Sequence, residues 1–216
     1  MSLLVLGTVA FDTIETPFGK AERIIGGAGT YVAWAASQFH DDIQLVSVIG
    51  DDFPQHELQA LQKRGVNLDG LDLRKGEKSF FWAGRYHMDM NTRDTLVTEL
   101  NVLQDYAPRL PEHYRRPEYL MLGNFAPAVQ MQVLDQLAQR PRLVAMDTMN
   151  FWMQIALDDL KKVLQKIDLL IVNDEEARQL SGEHSLVKAA RSIRKMGPKT
   201  VVIKKGEHGA LLFQDE

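Results

Sequence analysis

Two neighbouring features near the start of the chain could bind a ligand. Asp12 comes shortly after the apolar segment Leu3–Gly7, and an ionised carboxylate can accept hydrogen bonds from two hydroxyl groups at once. A glycine-rich bend, Gly26-Gly27-Ala28-Gly29-Thr30, then leads into an apolar helix-like segment. Glycine lets a backbone come close to a ligand, and a helix start has N–H groups without intrahelical partners. The pair suits a small polyhydroxylated molecule, although a turn Asp and a tight glycine turn are the ordinary alternative.

A second pair of polar residues follows the apolar segment Leu169–Val172. Asn173 and Glu176 are typical of a helix start, where an N-cap side chain and first-turn acids are favourable. They could equally lie close to phosphate groups and Mg²⁺-bound water, because Mg²⁺ prefers oxygen ligands and keeps several waters. The sequence leaves both explanations open.

Three further segments end in residues that could contact a ligand. Lys204 ends an apolar segment and is followed by Gly206 and Gly209. This pattern predicts either a charged hairpin turn or a backbone against which a nucleotide could lie. Asn124 and Asp147 end two other apolar segments, where each could instead cap the element that follows.

The elements that carry these residues alternate between apolar strands and helical patterns. This alternation predicts an α/β fold with a mostly parallel sheet covered by helices on both faces. Ligands of such sheets lie beyond the carboxyl ends of the strands. The helix expected at 31–37 is apolar nearly all round and should be buried. Strands are expected at 3–7, 44–50, 118–123, 143–146, 168–173, 200–204 and 210–213, and further helices at 56–64, 127–139, 157–167, 175–180 and 186–196.

The segment 78–103 breaks this rhythm. Residues 78–90 alternate as a two-sided strand, with Phe80, Trp82, Tyr86 and Met88 on one side. Residues 92–103 could return as a second strand, joined by 14–25 in a small β-appendage. Because an apolar face outside the main sheet must be covered, it should meet a ligand or a second copy of itself.

Composition excludes several classes of function. The 216 residues, 45% of them hydrophobic, can form one substantial core. The net charge of −4 comes from interspersed acids and bases, so no nucleic-acid surface is expected. The lack of cysteine excludes disulfides, thiolate metal sites and a cysteine nucleophile. No apolar run approaches the ~20 residues of a membrane span, so a cytoplasmic protein without membrane partners is expected.

Five features, in this order along almost the whole chain, resemble the ribokinase-like (PfkB) carbohydrate kinases. They are Asp12, Gly26-Gly27, Val48–Phe53, the pair Asn173 and Glu176, and the Gly206…Gly209 turn. The resemblance implies a doubly wound, mostly parallel α/β domain over 1–216, with a β-sheet lid formed by about 14–25 and 78–103. It further implies ATP, Mg²⁺ and a sugar or nucleoside as ligands, and a possible homodimer through the lid.

The resemblance also implies a role for each candidate residue. The substrate-binding residues would be Asp12, Gly26, Gly27, Tyr31, Asn124 and Asp147; Asn173 and Glu176 would position phosphate and Mg²⁺; and Lys204, Gly206 and Gly209 would bind the nucleotide. No direct metal ligand is assigned. Many sugar kinases have Asn in place of Tyr31, and Thr or Ser in place of Lys204. The identity of the acceptor is therefore left open.

One diagnostic element of that family, a late Gly-Ala-Gly-Asp, does not occur in the sequence. It would supply the N–H groups that stabilise the transferring phosphoryl group and the Asp that takes the hydroxyl proton. The expectation is a truncated kinase whose base lies beyond Glu216. Losing the base alone should slow the reaction roughly 10²–10⁴-fold, so the chain is predicted to be nearly inactive.

The expected reaction is phosphoryl transfer from Mg·ATP to a hydroxyl group of a sugar or nucleoside. Two alternatives from other classes stay open. A nicotinamide-dependent Rossmann enzyme fits the strand alternation, but the glycine fingerprint is missing after the first strand, where the chain has Gly7-Thr8-Val9-Ala10. A non-catalytic carbohydrate-binding or assembly module is the second alternative.

Overall fold

The computed structural model describes residues 1–214 and contains two β-sheets. The elements in chain order are β1 (Leu3–Leu6), β2 (Ala10–Thr16), β3 (Gly19–Gly26), α1 (Ala28–Ala36), β4 (Ile43–Gly50), α2 (Gln55–Lys63), β5 (Val66–Arg74), β6 (Phe80–Tyr86), β7 (Arg93–Glu99), β8 (Tyr119–Leu122), α3 (Pro127–Asp135), β9 (Leu143–Asp147), α4 (Asn150–Ile155), α5 (Leu157–Leu164), β10 (Leu169–Asn173), α6 (Asp174–Ser181), α7 (Leu186–Arg194), β11 (Thr200–Lys204) and β12 (Ala210–Phe213).

The larger sheet has eight strands in the order β12-β11-β10-β9-β8-β1-β4-β5. Every neighbouring pair is parallel except β11 and β12. All eight residues of β4 are buried, as expected where both faces of a parallel sheet are covered. Leu4 and Leu6 of β1 belong to one buried cluster and Val5 to the other, so a core lies on each face. The doubly wound prediction is confirmed.

The later strands of the main sheet lie on both sides of β1. The sheet first continues to β4 and β5 on one side, and the strands from β8 to β12 are then added on the other side. The strand order therefore reverses between β1 and β8, which is the position where open α/β sheets form a ligand crevice at their carboxyl edge.

The second sheet has four strands in the order β3-β2-β6-β7. Its central pair, β2 and β6, is parallel, whereas both outer pairs are antiparallel. Phe11 and Phe81 point toward the core cluster on the β5 side of the main sheet, and β7 is exposed along its whole length. Strand β2 starts at Ala10, whereas the sequence predicted that this sheet begins at residue 14. Asp12 therefore lies inside the second sheet.

Three helices differ by three or more residues from their predicted bounds, and contacts at the end of two of them explain the difference. Helix α3 ends at Asp135 instead of Gln139; the side chain of the next residue, Gln136, bonds to the backbone of the Pro108–Leu110 segment. Helix α5 ends at Leu164, where Gly197 packs against its terminal carbonyl. Helix α1 starts three residues earlier than predicted and buries only part of its surface.

The short helix α4 was not anticipated. Within residues 1–214, no helix is both long enough and apolar enough to cross a bilayer.

Candidate active site

The carboxylate of Asp12 packs directly against the glycine bend. A Cβ atom on Gly26 would lie 2.0 Å from Asp12 Oδ2, so the carboxylate occupies the space of the missing side chain. Gly27 has a φ of 94°, and a Cβ atom there would lie 2.2 Å from the carbonyl oxygen of Thr8. Only glycine fits both positions. The structure therefore brings Asp12, Gly26 and Gly27 together, although Asp12 arrives on a strand of the second sheet and not at the end of β1.

Burial raises the pKa of Asp12 to about 6, and the backbone N–H of Gly27 opposes this rise. The carboxyl group is consequently mostly ionised at pH 7, despite its partial desolvation. An ionised carboxylate accepts hydrogen bonds but donates none. The group is thus suited to a ligand that offers hydroxyl donors.

The start of α1 does not offer the free N–H groups that the sequence suggested. Thr8 accepts most of them: its hydroxyl oxygen accepts the N–H of Ala28 at 3.1 Å, and its carbonyl oxygen accepts those of Gly29 at 2.9 Å and Thr30 at 3.4 Å. Thr8, which lies two residues after the end of β1, thereby caps a helix that begins 20 residues later in the sequence. The bend can therefore favour a ligand by its shape and by the Asp12 carboxylate, but not by free N–H groups at the start of the helix.

Tyr31 and Asn124 occupy the same region, but their side chains differ in how tightly their surroundings hold them. Tyr31 is 56% exposed, contrary to the expected burial of its helix, and its hydroxyl donates to the carbonyl of Ile25 at 3.3 Å. Asn124 is half-buried, and its Oδ1 accepts the indole N–H of Trp152 at 2.9 Å. Its Nδ2 lies 3.1 Å from the sulfur of Met149. Tyr31 can therefore move toward a ligand more easily than Asn124.

Asn173 and Glu176 form a reciprocal capping box at the start of α6. Asn173 Oδ1 accepts the N–H of Glu176 at 2.7 Å, and Glu176 Oε2 accepts the N–H of Asn173 at 2.8 Å. The ordinary structural explanation is thus present. Glu176 is only 4% exposed, however, which is unusual for a carboxylate whose only task is to cap a helix.

Charged groups from three elements surround this capping box. Burial raises the pKa of Glu176, the negative charge of Asp147 adds to the rise, and the positive charges of Lys204 and Arg93 oppose it. Burial also raises the pKa of Asp147, again opposed by Lys204. Lys204 lies opposite Asn173 in the register of β10 and β11. Two acids and two cations therefore share this end of the sheet.

Arg93 was not predicted from the sequence, because it belongs to the second sheet. The hairpin between β6 and β7 reaches the turn after β11: Asn91 Oδ1 lies 3.5 Å from the position that a Cβ atom on Gly206 would take. The second sheet therefore extends along the carboxyl edge, from Asp12 at one end to the Gly206 turn at the other. The alternation of apolar and polar residues in the sequence predicts such a strand, but it does not indicate which site the hairpin approaches.

Gly206 and Gly209 have φ angles of 56° and 77° and flank a short 3₁₀ turn. The turn itself requires these positive φ angles, which glycine adopts without steric cost. A Cβ atom on Gly209 would meet no atom within 4 Å. The backbone on that side is therefore accessible, as a nucleotide contact would require.

The two halves of the site lie on one edge of the main sheet. Three strand spacings separate β1 from β10, which corresponds to about 14 Å at the usual spacing of parallel strands. A polyol at the glycine bend and a phosphate chain at the capping box would thus face each other along the crevice next to β1 and β8.

Among residues 1–214, no group of three or more histidine and acidic side chains could hold a metal ion by itself. The acids that are present, Asp147 and Glu176, nevertheless fit Mg²⁺ that binds mainly to water and phosphate, since such ions need only one or two protein carboxylates. Lys204 and Arg93 would match the negative charge of a phosphate chain at the same place.

Comparison with known proteins identifies the family of this chain. Residues 4–216 match the pfkB family carbohydrate kinase domain. A cytidine kinase from Thermococcus kodakarensis is 29% identical over 217 residues, covering 99% of this chain and 76% of that protein. A nucleoside kinase from Methanothermobacter thermautotrophicus is 21% identical over 243 residues, covering 99% of this chain and 72% of that protein.

Two solved structures show the same fold. The nucleoside kinase of Burkholderia thailandensis in complex with inosine has a TM-score of 0.77 at 17% identity and covers all of this chain and 74% of its own. A ribokinase from Cryptococcus neoformans in complex with ADP has a TM-score of 0.76 at 20% identity, covering 99% of this chain and 75% of its own. The predicted ribokinase-like fold is confirmed, and because the family match extends over nearly the whole sequence, the chain belongs to the pfkB family of carbohydrate kinases.

Proposed function

We propose that the protein takes part in ATP-dependent phosphorylation of a hydroxyl group on a sugar or nucleoside. The observation that carries this proposal is the Asp12 carboxylate packed against Gly26 and Gly27, beside the crevice of a pfkB-family fold. The carboxylate and the bend form the acceptor half of the site. The capping box and the turn after β11 form the donor half.

In the acceptor half, Asp12 accepts hydrogen bonds from two adjacent hydroxyls of the acceptor. Its partial burial strengthens these bonds, because water competes less for the carboxylate. The bare backbone at Gly26 and Gly27 lets the ring approach closely. The exposed Tyr31 contacts the same ligand from the side, while Asn124 and Asp147 complete this part of the edge.

In the donor half, Lys204 and Arg93 neutralise part of the charge of the phosphate chain, and the turn with Gly206 and Gly209 contacts the nucleotide. Mg²⁺, when bound, would supply positive charge that offsets the charge of the phosphates. Asn173 and Glu176 would hold the hydrated ion. Because phosphoryl transfer asks a protein mainly for alignment and charge stabilisation, the task of these positions is to align donor and acceptor.

The relatives support nucleosides as the first acceptors to test. The two most useful sequence relatives are described as a cytidine kinase and a nucleoside kinase, and one structural neighbour holds inosine while another holds ADP. Ribose is the matching sugar, since it carries the sugar hydroxyl groups of a nucleoside and has an anomeric hydroxyl in place of the base.

The second sheet acts as a lid that excludes water from the transfer, with strands from 10–26 and 80–99. Its exposed apolar side chains, among them Leu96 and Val97, favour the proposed homodimer through this sheet. Light scattering tests it, with a monomer at micromolar concentration as the contrary result. The cytoplasmic location expected from the sequence stays a prediction.

Ligand binding is the most direct test, because the sequence contains no Gly-Ala-Gly-Asp segment and turnover alone would be a poor measure. Isothermal titration with cytidine, inosine, ribose, ADP with Mg²⁺, and NAD should give binding of ADP and of at least one of the first three. The Asp12→Asn substitution should lower the affinity for the acceptor and leave the affinity for ADP unchanged. Binding of NAD without ADP would instead support a nicotinamide enzyme, and binding of a sugar with no nucleotide would support a non-catalytic module.

A further inference from the structure

The segment between β4 and α2 belongs to the features that identify the family, yet none of its residues has a place in the proposed ligand contacts. Asp52 in this segment joins two parts of the second sheet. Its Oδ1 accepts the backbone N–H of Ser79, just before β6, at 2.8 Å. Its Oδ2 accepts a hydrogen bond from the guanidinium Nη2 of Arg23, on β3, at 2.6 Å. Asp52 thus fastens the base of the second sheet to the main sheet.

Arg23 is held in a conformation that a non-glycine residue rarely adopts. Its φ is 48°, and the register of β2 and β3 shifts at this point, between Asp12 and Ile14. Such bulges turn side chains and often occur beside active sites. A left-handed arginine costs stability, so its surroundings must compensate.

The contacts of Arg23 converge on both neighbours of Asp12. The N–H of Arg23 donates to Thr13 Oγ1 at 2.9 Å. The guanidinium lies over the ring of Phe11, 4.0 Å from its centroid, and that ring packs against Phe53 at 5.3 Å. The residue before Asp12 and the residue after it are therefore both fixed by one residue.

We propose that Arg23 is a positioning residue that, held by Asp52, sets the place of the Asp12 carboxylate against the glycine bend and so tunes the affinity for the acceptor. Arg23 acts through Phe11 and Thr13 and does not itself contact the ligand. This inference rests on the proposed function to the extent that Asp12 binds the acceptor.

A second arginine of the same sheet provides a matched control. Arg85 on β6 forms an ion pair with Glu15 at the far end of β2, with Nε 2.8 Å from Oε1. Both arginine side chains are 52% exposed. Arg85→Gln therefore removes a comparable ion pair from the same sheet without disturbing the neighbours of Asp12.

The test compares Arg23→Gln, Arg23→Lys and Arg85→Gln by titration with cytidine, with ribose and with ADP plus Mg²⁺. Arg23→Gln should weaken binding of the acceptor roughly threefold to tenfold, the effect of losing one ion pair and one cation–π contact, and leave ADP binding unchanged. Arg23→Lys should recover part of the loss because it keeps the charge. Arg85→Gln should alter neither affinity.

Three outcomes would overturn the proposal: unchanged acceptor affinity in Arg23→Gln, an equal loss for acceptor and ADP, or the same loss in Arg85→Gln. A purely structural role would lower the melting temperature and both affinities together.

Hydrogen exchange without any ligand separates this inference from the proposed function. If the unaltered protein binds none of cytidine, inosine and ribose, the proposed function fails, and exchange then decides the positioning role alone. Amides of residues 10–13, which exclude the Glu15 partner of Arg85, should exchange at least ~3-fold faster in Arg23→Gln than in Arg85→Gln, reflecting a local opening eased by the lost contacts. Equal exchange in the two variants would contradict the proposal.

Discussion

Replacement of Asp12 by Asn should make the protein more stable and a weaker binder at neutral pH. The variant keeps the shape of the side chain and removes a charge that the fold partly desolvates. Burial raises the pKa of this carboxyl group from its ordinary 3.8 to about 6. The folded state therefore holds the proton more tightly than the unfolded state, and ionisation of Asp12 opposes folding.

The size of the effect follows from that shift. Without any screening by solvent, a shift of about two pKa units corresponds to roughly 3 kcal/mol of unfolding free energy. Because water has partial access to the side chain, the expected effect is about 1–2 kcal/mol. The sign follows from proton linkage: stability that depends on this group is greatest below pH 3.8, falls between pH 4 and 6, and is constant above that range. The Asp12→Asn variant has no such dependence.

Urea unfolding from pH 4.5 to pH 7.5 measures this difference, with Asp41→Asn as a control because Asp41 is 97% exposed. The Asp12→Asn variant should gain stability relative to the unaltered protein as the pH rises. Its affinity for cytidine should fall roughly 10- to 100-fold, since hydrogen bonds to a charged group contribute about 1.5–3 kcal/mol each. A destabilised variant at pH 7.5, or a difference that stays the same at every pH, would refute the reasoning.

Three further substitutions test the two halves of the site. Gly26→Ala would put a methyl group 2.0 Å from Asp12 Oδ2, so titration should show loss of cytidine binding with ADP binding retained; retained cytidine binding would be the contrary result. Asn173→Ala removes the cap on the Glu176 N–H and should cost about 1 kcal/mol in urea unfolding, whereas an unchanged midpoint would argue against the capping box. Arg93→Gln removes a cation beside Glu176 and should weaken ADP binding roughly threefold at low salt, with little effect at high salt; a loss independent of salt would point to another cause.

Seven of the eight strands in the main sheet could be predicted closely, because most of them are apolar runs. The edge strand β5 was missed, since polar residues interrupt its sequence and most of its side chains are not buried. Strands β4 and β10 start and end within one residue of the expected bounds. Helix ends were less predictable, since contacts distant in sequence determine them. Gln136, for example, bonds to the backbone near Pro108, and no local pattern indicates that contact.

The sequence allowed some residues of the candidate site to be named, but not the way in which the fold brings them together. Asp12 and the glycine bend could be named from residue types, yet the sequence placed Asp12 after β1. The parallel pairing of β2 with β6, about 70 residues away, decides its true position. Arg23 and Arg93 were missed for the same reason: an arginine on an exposed strand has no local signal that distinguishes a site residue from a solvated one.

The way in which Thr8 satisfies the start of α1 has a consequence for selectivity. Unoccupied amide groups at that terminus would attract any anion, including metabolites that already carry a phosphoryl ester. Here those amides bond to Thr8, and the negatively charged Asp12 carboxylate packs against the same bend. An esterified pentose should accordingly be repelled from this end of the crevice, which favours uncharged molecules over their own phosphorylated products.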